Sequence, residues 1–324
     1  MALSEVQPDV RVAARILGEC VDLRAGEHVT VITDGIYPQE IPSAFVSAAA
    51  SAGAAAEVLS TPPSGEVAEN LPLGVVESLG RQEVLVLCTT ALFPRPARQQ
   101  AARRGARVLS LCGIDAAIYR RSCDLNHHQV ARVTEHAALR LAAGGRYHVT
   151  SKEGTDLILE VSPGAPIQLT GLARCAGEIA VLPAGVLAVL PVPGTARGWV
   201  VVTGSIEGLG LCETPVALEV ADGRVVEIAG GRQAAALAKR LRQGDTDSCI
   251  LAETGFGTNP RAGYSGNILE DERVAGSCHI GLGQNAHLGG PVWSRTHLDL
   301  TIRAPTVRLN GDILIEHGVL QIAA

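Results

Sequence analysis

The chain has 324 residues, of which 47% are hydrophobic and 19% are charged, and this is more apolar material than one compact core needs. We therefore expect two domains. The formal net charge of -6 and the lack of any run of Lys and Arg argue against a nucleic-acid partner and favour a small-molecule substrate.

Neither a secretory signal nor a membrane segment is expected. The N-terminal stretch MALSEVQPDVRVAARILGEC has no basic segment followed by an apolar run. The most apolar stretch, IAVLPAGVLAVLPVPG, is interrupted by prolines and does not reach the length that a bilayer requires. The cysteines are scattered without a CxxC pair, which indicates reduced core residues. We therefore predict a cytoplasmic protein.

Helical and strand patterns alternate in the first half of the chain. The predicted order is a helix in RVAARILGEC, a strand in HVTVIT, a helix in IPSAFVSAAASAGA, strands in AEVLS and EVLVLCT, a helix and a strand in RPARQQAARRGARVLSLC, and a helix in HQVARVTEHAALRLAAG. This alternation is typical of a largely parallel sheet. We predict an α/β Rossmann-like domain over residues 1–145. Asp34 and Gly35, after the first strand, are interpreted as a turn in preference to a ligand site.

The pattern changes after Gly145 to short strands separated by Gly, Pro and Asx-Gly turns. Asp222-Gly223 and Asn310-Gly311 indicate hairpins, because both residue types tolerate positive φ. One helix, in RQAAALAKRLRQG, interrupts the strands. We predict a β-rich (α+β) domain over residues 146–324, largely antiparallel.

The second half also concentrates metal-binding chemistry. His279, His287 and His297 lie within a short stretch, and in the strand THLDLTI the side chains of His297 and Asp299 share one face. Glu253 follows an apolar run and would be costly to bury without a cation or hydrogen-bond donors. Imidazole and carboxylate groups suit zinc, manganese or ferrous iron. From spacing alone, a metal site and a hydrogen-bonded structural pair are equally compatible.

The segments ETGFGTNP, GNILEDE, GSCHIGLG, GG and HLD occur in this order. The succession resembles the C-terminal signature of the thermophilic metallopeptidase family, of the aminopeptidase T and aminopeptidase S type. The resemblance extends more weakly through LPAGVLAVLPVPGTARGWVVV, LRAGEHVTVITD and GARVLSLCGI, and so covers nearly the whole chain. It implies a Rossmann-like N-terminal domain, a β-rich metal-binding C-terminal domain and a homodimer.

Carried over by position, the resemblance implies four metal ligands, Glu253, His279, His297 and Asp299. Two positions depart from the peptidase pattern. Val186 stands where the family's LPxGE motif has glutamate, and Ala286 stands where the family has tyrosine. Without that glutamate too little negative charge remains to hold two close cations. We therefore predict one divalent ion, Zn, Mn or Fe(II).

The leading prediction for function is a metal-dependent hydrolase that cleaves a C–N bond of a small amide, amine or aromatic substrate. The metal would lower the pKa of bound water. Glu253 is the candidate general base if it is not a ligand. His287 lies in the Gly-rich loop between the ligands and is interpreted either as a proton shuttle or as a solvent-exposed loop residue.

The alternatives come from divergent single-metal relatives that the chain also resembles, a ferrous 2,5-dihydroxypyridine dioxygenase and a 5-nitroanthranilate aminohydrolase. The H-x-D pair of the dioxygenase matches His297 and Asp299. Its serine ligand falls on Gly281, and its remaining histidine falls near Tyr264. Ring-opening oxygenation is therefore the second prediction, and a metal-free binding or assembly protein is the third.

Several neighbouring residues have two interpretations. Trp293 and Arg295 flank the H-x-D strand and would suit stacking on an aromatic ring and clamping a carboxylate, while dimer packing explains them equally. Tyr264 shares this ambiguity. The acidic run 270–272 is expected to form a solvated turn in preference to orienting a ligand imidazole.

Overall fold

A computed structural model of the chain describes residues 7–62 and 83–322. Over these residues the chain is a mixed α/β protein with one parallel and two antiparallel sheets. It divides into a first unit, residues 1–131 and 169–184, and a second unit, residues 132–168 and 185–324. Residues 1–6, which begin the stretch without a secretory signal, lie outside the described residues. Within the described ranges, no helix is long and apolar enough to cross a membrane.

The secondary structure has these bounds. The helices are α1 (Pro8–Val21), α2 (Glu40–Ser51), α3 (Arg95–Arg103), α4 (Ala116–Ser122), α5 (His127–Leu141), α6 (Arg232–Gln243) and α7 (Ile268–Asp271). The strands are β1 (His28–Thr33), β2 (Ala55–Ser60), β3 (Val84–Cys88), β4 (Arg107–Ser110), β5 (Gly145–Thr150), β6 (Asp156–Val161), β7 (Ile167–Leu169), β8 (Ile179–Val181), β9 (Val186–Val189), β10 (Arg197–Val202), β11 (Ser205–Ile206), β12 (Gly210–Leu211), β13 (Val216–Ala221), β14 (Arg224–Ala229), β15 (Leu251–Gly257), β16 (Cys278–Gly283), β17 (His297–Ile302), β18 (Thr306–Leu309), β19 (Asp312–Glu316) and β20 (Val319–Leu320).

The first unit contains a parallel sheet in the order β2-β1-β3-β4-β8. Strands β3 and β4 are buried along their whole length, as the continuous apolar runs of parallel strands predict. The alanines of α3 pack on this sheet. The predicted order of elements through Cys112 is confirmed for residues 7–62 and 83–112. The sequence predicts a domain boundary at residue 145, whereas the first segment of this unit ends at Ala131. Residues 169–184 also belong to the first unit, because their strand β8 pairs with β4.

The second unit contains two antiparallel sheets that share one hydrophobic core. The larger has the order β14-β13-β10-β6-β5-β18-β19-β20, and the seven-stranded sheet has the order β12-β11-β17-β16-β15-β9-β7. Both predicted hairpins are confirmed. Asp222 and Gly223 have φ of 48° and 76°, and Asn310 and Gly311 have φ of 53° and 96°. These turns fix the register of β13 with β14 and of β18 with β19.

Asp34, at the end of β1, forms a structural cap. Its Oδ1 accepts hydrogen bonds from the backbone N–H groups of Tyr37 at 2.9 Å and Ile36 at 3.3 Å. Its Oδ2 accepts from the N–H and the hydroxyl of Thr90 at 2.6 and 2.5 Å. The carboxylate therefore joins the ends of β1 and β3, which agrees with the interpretation of this segment as a turn.

The Asp34→Ala substitution should lower the free energy of unfolding by about 2–3 kcal/mol, because several donors lose a charged acceptor. Burial opposes the charge of Asp34, but the hydrogen bonds from Thr90 outweigh it and lower its pKa. A carboxyl group with a lowered folded-state pKa stabilises the protein above its unfolded pKa and loses this effect as the pH falls. Urea unfolding should therefore show a smaller difference in unfolding free energy between the native protein and Asp34→Ala in acid than at neutral pH. The exposed Glu153→Ala variant is the control, and equal stability of both variants at neutral pH would contradict the assignment.

Candidate metal centre

One face of the seven-stranded sheet carries the predicted site residues. On β15, β16 and β17, alternate side chains such as Phe256, Ile280 and Leu300 belong to the core. The residues between them point to the opposite face, because successive side chains of a strand alternate. We call this the site face, and on these strands it consists of Glu253, Gly255, Gly257, His279, Gly281, Gly283, His297, Asp299 and Thr301. The predicted alternation along β17 is therefore confirmed.

Glycines on the site face leave room for the functional side chains. Gly281 lies directly between Glu253 and Asp299 in the strand register. A Cβ at Gly281 would lie 2.9 Å from Cβ of Glu253 and 3.1 Å from Oδ1 of Asp299. Gly255 pairs with His279, and a Cβ at Gly255 would lie 2.6 Å from Cε1 of that ring. The carboxylates and the imidazole occupy space that side chains at these two positions would fill.

Glu253 lies between two histidines. Its Oε1 is 3.4 Å from Nε2 of His279, and its Oε2 is 4.0 Å from Nε2 of His297. Glu253 and His279 are buried, with 7% and 1% of their surface exposed. A carboxylate this deeply buried is costly unless a positive charge accompanies it.

The ring of His297 is oriented by the backbone. Its Nδ1 is 2.9 Å from the carbonyl oxygen of Gln284, which can only accept, so Nδ1 carries a proton and donates it. Its Nε2 faces Oδ2 of Asp299 at 3.2 Å. A neutral ring would direct its lone pair at the carboxylate, so the position of Nε2 calls for a cation, either a proton or a metal ion. Ligand histidines characteristically donate their second N–H to a carbonyl in this way.

His287 lies in the 3-10 turn Ala286–Leu288 and contacts His297 edge to face, with ring centroids 4.6 Å apart. Ligand atoms of Glu253, His287 and His297 all lie within 4.8 Å of one another. The turn is held by Asn285, which accepts the N–H of Val292 at 2.8 Å through its side chain. His287, a candidate proton shuttle from the sequence, therefore also lies close enough to Glu253 and His297 to bind the same metal ion.

The histidine pKa values reflect the surrounding carboxylates. Burial lowers the pKa of His297, but the hydrogen bond and charge of Asp299 and the charge of Glu253 outweigh it and raise the pKa to about 10. For His279 burial is again the largest effect, and the carboxylate of Glu253 reverses it and raises the pKa. Without a metal ion His297 therefore retains a proton at neutral pH, and this proton compensates part of the negative charge of Asp299 and Glu253.

The residues fit a divalent metal ion. Among residues 7–62 and 83–322, no hydrogen-bond partner is found for either ring nitrogen of His279 or for Oδ1 of Asp299, although these atoms are buried. Such atoms carry a desolvation cost that a cation would remove. The set of imidazole nitrogens and carboxylate oxygens is the donor set of zinc, manganese and ferrous iron.

The two departures from the peptidase pattern lie at or beside this centre. Val186 is the first residue of β9, is buried and pairs with Gly257, so its position on the site face is apolar. Ala286 begins the turn that carries His287. No carboxylate or phenol is available at either position.

The candidate substrate residues Tyr264, Trp293 and Arg295 are not part of the cluster of Glu253, His287 and His297. The side chain of Trp293 is 76% exposed. Arg295 is exposed, and its backbone N–H donates to Oδ2 of Asp245 at 2.7 Å. Tyr264 lies under the guanidinium of Arg303, whose Cζ is 4.4 Å from the ring centroid. Their role in substrate binding stays a prediction.

The prediction of a solvated turn at 270–272 is wrong for its first two residues. Glu270 and Asp271 end the short helix α7 and are fully buried. Asp271 accepts the N–H of Ser265 at 2.7 Å and that of Gly266 at 3.0 Å. These carboxylates are buried because they satisfy the backbone of the preceding loop.

Sequence reasoning missed Glu207, which follows β11. Its N–H donates to the carbonyl of Asp299 at 2.9 Å, and its Oε2 accepts the N–H of Asp299 at 3.2 Å. Burial and the nearby charge of Asp299 raise the pKa of Glu207. The only sequence signal is an acid between two short apolar segments, SI and GLG, which does not reveal its neighbour on β17.

Comparisons with known proteins find a matching family model and similar solved structures. The family described as NicX, 2,5-dihydroxypyridine 5,6-dioxygenase, matches residues 10–322. The solved structure of the 2,5-dihydroxypyridine dioxygenase from Pseudomonas putida is similar over 98% of both chains, with a TM-score of 0.82 and 19% identity. Wild-type AmpT from Thermus thermophilus is similar over 97% of this chain and 99% of that chain, with a TM-score of 0.69 and 16% identity. No curated protein matches the chain. The two solved structures share the fold of this chain. The family match confirms the resemblance to the metallopeptidase family and its divergent single-metal relatives.

Metal binding at neutral pH should release at least one proton, because the pKa of His297 lies near 10 without metal and a ligand nitrogen must be deprotonated. Apparent affinity should therefore rise as the pH increases from about 6 to about 9. Isothermal titration calorimetry in buffers of different ionisation enthalpy measures the released protons. Binding without proton release, or with affinity independent of pH, would contradict the assigned role of this histidine.

The Gly281→Ala substitution should weaken metal binding by ~10-fold or more, because the new methyl group would displace Glu253 or Asp299. Metal titration monitored by fluorescence or calorimetry measures the change. Gly18→Ala is the matched control, since a Cβ at this helical position meets nothing within 4 Å. Equal metal affinity in the two variants would show that the glycine gap does not determine the centre.

Proposed function

The chain belongs to the 2,5-dihydroxypyridine 5,6-dioxygenase family, and we propose that it is a ferrous-iron-dependent enzyme that opens a hydroxylated aromatic ring with dioxygen. The proposal is supported by the extent of the family match and by the residues gathered on the site face. In such a reaction one carbon–carbon bond of the ring breaks and both atoms of dioxygen enter the product, so no external reductant is consumed.

The observation that carries the proposal is the cluster of Glu253, His287 and His297, whose ligand atoms lie within 4.8 Å of one another. Two histidines and one carboxylate are the ligand set of many non-haem ferrous oxygenases, because this set leaves coordination positions open. His279 and Asp299 lie beside it as further ligands or as partners of the ligands. Bound ferrous iron would supply the redox chemistry by which dioxygen reacts with an electron-rich ring.

The protein's own residues would orient the ligands and handle protons. The hydrogen bond from Nδ1 of His297 to Gln284 fixes the ring, so that Nε2 points to the site. The unpaired Oδ1 of Asp299 can accept a hydrogen bond from a ring hydroxyl. His279, buried beside Glu253, can hold a proton that leaves the substrate.

The hydrolase that was the leading sequence prediction is less well supported than the dioxygenase alternative. The family match favours oxygen chemistry, and the fold shared with AmpT is compatible with both. The apolar side chain at Val186 leaves that part of the site face without a carboxylate for a second ion.

We further propose that the first unit is the Rossmann-like domain and the second unit the metal-binding domain that the sequence predicts. One divalent ion, a small-molecule substrate and a homodimer are retained as parts of the proposal. Tyr264, Trp293 and Arg295 remain candidate substrate residues.

Protein loaded anaerobically with Fe(II) should consume one dioxygen for each 2,5-dihydroxypyridine, or for each molecule of a related hydroxylated ring, that loses its aromatic absorbance. An oxygen electrode and an ultraviolet spectrometer measure both quantities. His287→Ala should abolish turnover, because it removes one of the three clustered donors, while the exposed His317→Asn serves as the control. Turnover of such a ring under argon would contradict the proposal, as would release of ammonia from an aminated ring without oxygen uptake.

A further inference from the structure

Glu207 is placed opposite Asp299 by the strand register. Ile206 of β11 pairs with Leu300 of β17 in antiparallel register, so the next residue, Glu207, faces Asp299. The strand β11 ends at Ile206, and the pairing continues through Glu207 itself. Its N–H donates to the Asp299 carbonyl at 2.9 Å and its carboxylate accepts the Asp299 N–H at 3.2 Å. The side chain thus replaces a backbone acceptor that a longer strand would provide.

The contact extends to Glu207 a row of paired residues that crosses β15, β16 and β17. In register order the row is Glu253, Gly281, Asp299 and Glu207. Paired residues of antiparallel strands point to the same face. Gly281 separates Glu253 from Asp299, and the carboxylate of Glu207 lies at the end of the row, where it accepts the Asp299 N–H.

The hairpin that carries Glu207 is anchored by α6. Nη1 of Arg240 donates to the carbonyl of Glu207 at 2.7 Å. Nε2 of Gln233 donates to the carbonyls of Leu209 and Leu211 at 3.1 and 2.7 Å. Gly208, with φ of 72°, permits the close approach of Arg240. These hydrogen bonds therefore fix the backbone position of Glu207 beside the edge of β17.

We propose that Glu207 is a positioning residue of the metal centre, which holds Asp299 by its backbone so that the unpaired Oδ1 of that residue faces the metal site. The inference rests on the proposed function only in requiring that the centre bind a divalent cation. Asp299 is fixed on one side by β16 and on the other side by Glu207. Loss of the second support would leave the Asp299 N–H without its acceptor and allow this edge of the strand to shift.

Two substitutions separate positioning from charge. Glu207→Ala removes both the acceptor and the charge and should weaken metal binding by ~10–100-fold, the usual range for groups that orient a ligand. Glu207→Gln keeps an amide oxygen that can accept from the Asp299 N–H, so its affinity should lie clearly between those of the native protein and the alanine variant. Glu213→Gln is the matched control, because Glu213 is an exposed acid of the following segment that pairs with Arg232.

The experiment measures the metal affinity of the native protein and each full-length variant by titration calorimetry. Fe(II) is titrated under anaerobic conditions and Mn(II) in air. The order native protein, glutamine variant, alanine variant, from tightest to weakest, supports the proposal. Unchanged metal affinity in Glu207→Ala would overturn the proposal. Equal loss of affinity in both variants would also overturn it, because the loss would then follow from the removed charge and not from the lost acceptor. These outcomes do not depend on oxygen chemistry. A weakened Glu207→Ala variant of a protein that never consumes dioxygen would support the positioning role while contradicting the proposed function.

Discussion

The metal centre depends on the lack of a side chain at Gly281. This glycine stands on the middle strand of three, between Glu253 and Asp299, and a Cβ there would meet both acids. Because the gap brings the buried carboxylate of Glu253 close to the partly buried carboxylate of Asp299, their negative charge must be compensated. His297 retains a proton when no metal is bound, and a divalent ion offers the same compensation with bonds to Asp299 Oδ1 and the His279 ring, which lack hydrogen-bond partners among the described residues. The chemistry of the site follows from a backbone constraint.

Much of this arrangement could be predicted from local sequence patterns. A strand alternates its faces, so His297 and Asp299 had to share one side, and Asx-Gly pairs had to form tight hairpins. The opposite is true where distant segments meet. Glu207 contacts a residue 92 positions away through a two-residue strand, which carries no periodic signal. The return of 169–184 to the first unit likewise depends on one short strand pairing with β4.

Two further differences have a common physical cause, because backbone groups in loops need acceptors and donors. Asp271 is buried since it accepts N–H groups of the loop before it, so its charge does not indicate exposure. His287 is brought to His297 by a turn that Asn285 organises through its side chain. Hydropathy and charge alone could not show either contact, since both depend on the conformation of an irregular segment.

The central claim is that this centre inserts dioxygen into an aromatic ring and does not use water to cleave a C–N bond. Mass spectrometry of the product formed from a dihydroxylated pyridine under ¹⁸O₂, with Fe(II)-loaded protein, tests it most directly. The proposed function predicts that both new oxygen atoms of the ring-opened product carry ¹⁸O. A product that contains label only when the reaction is run in H₂¹⁸O would contradict it and favour the hydrolase.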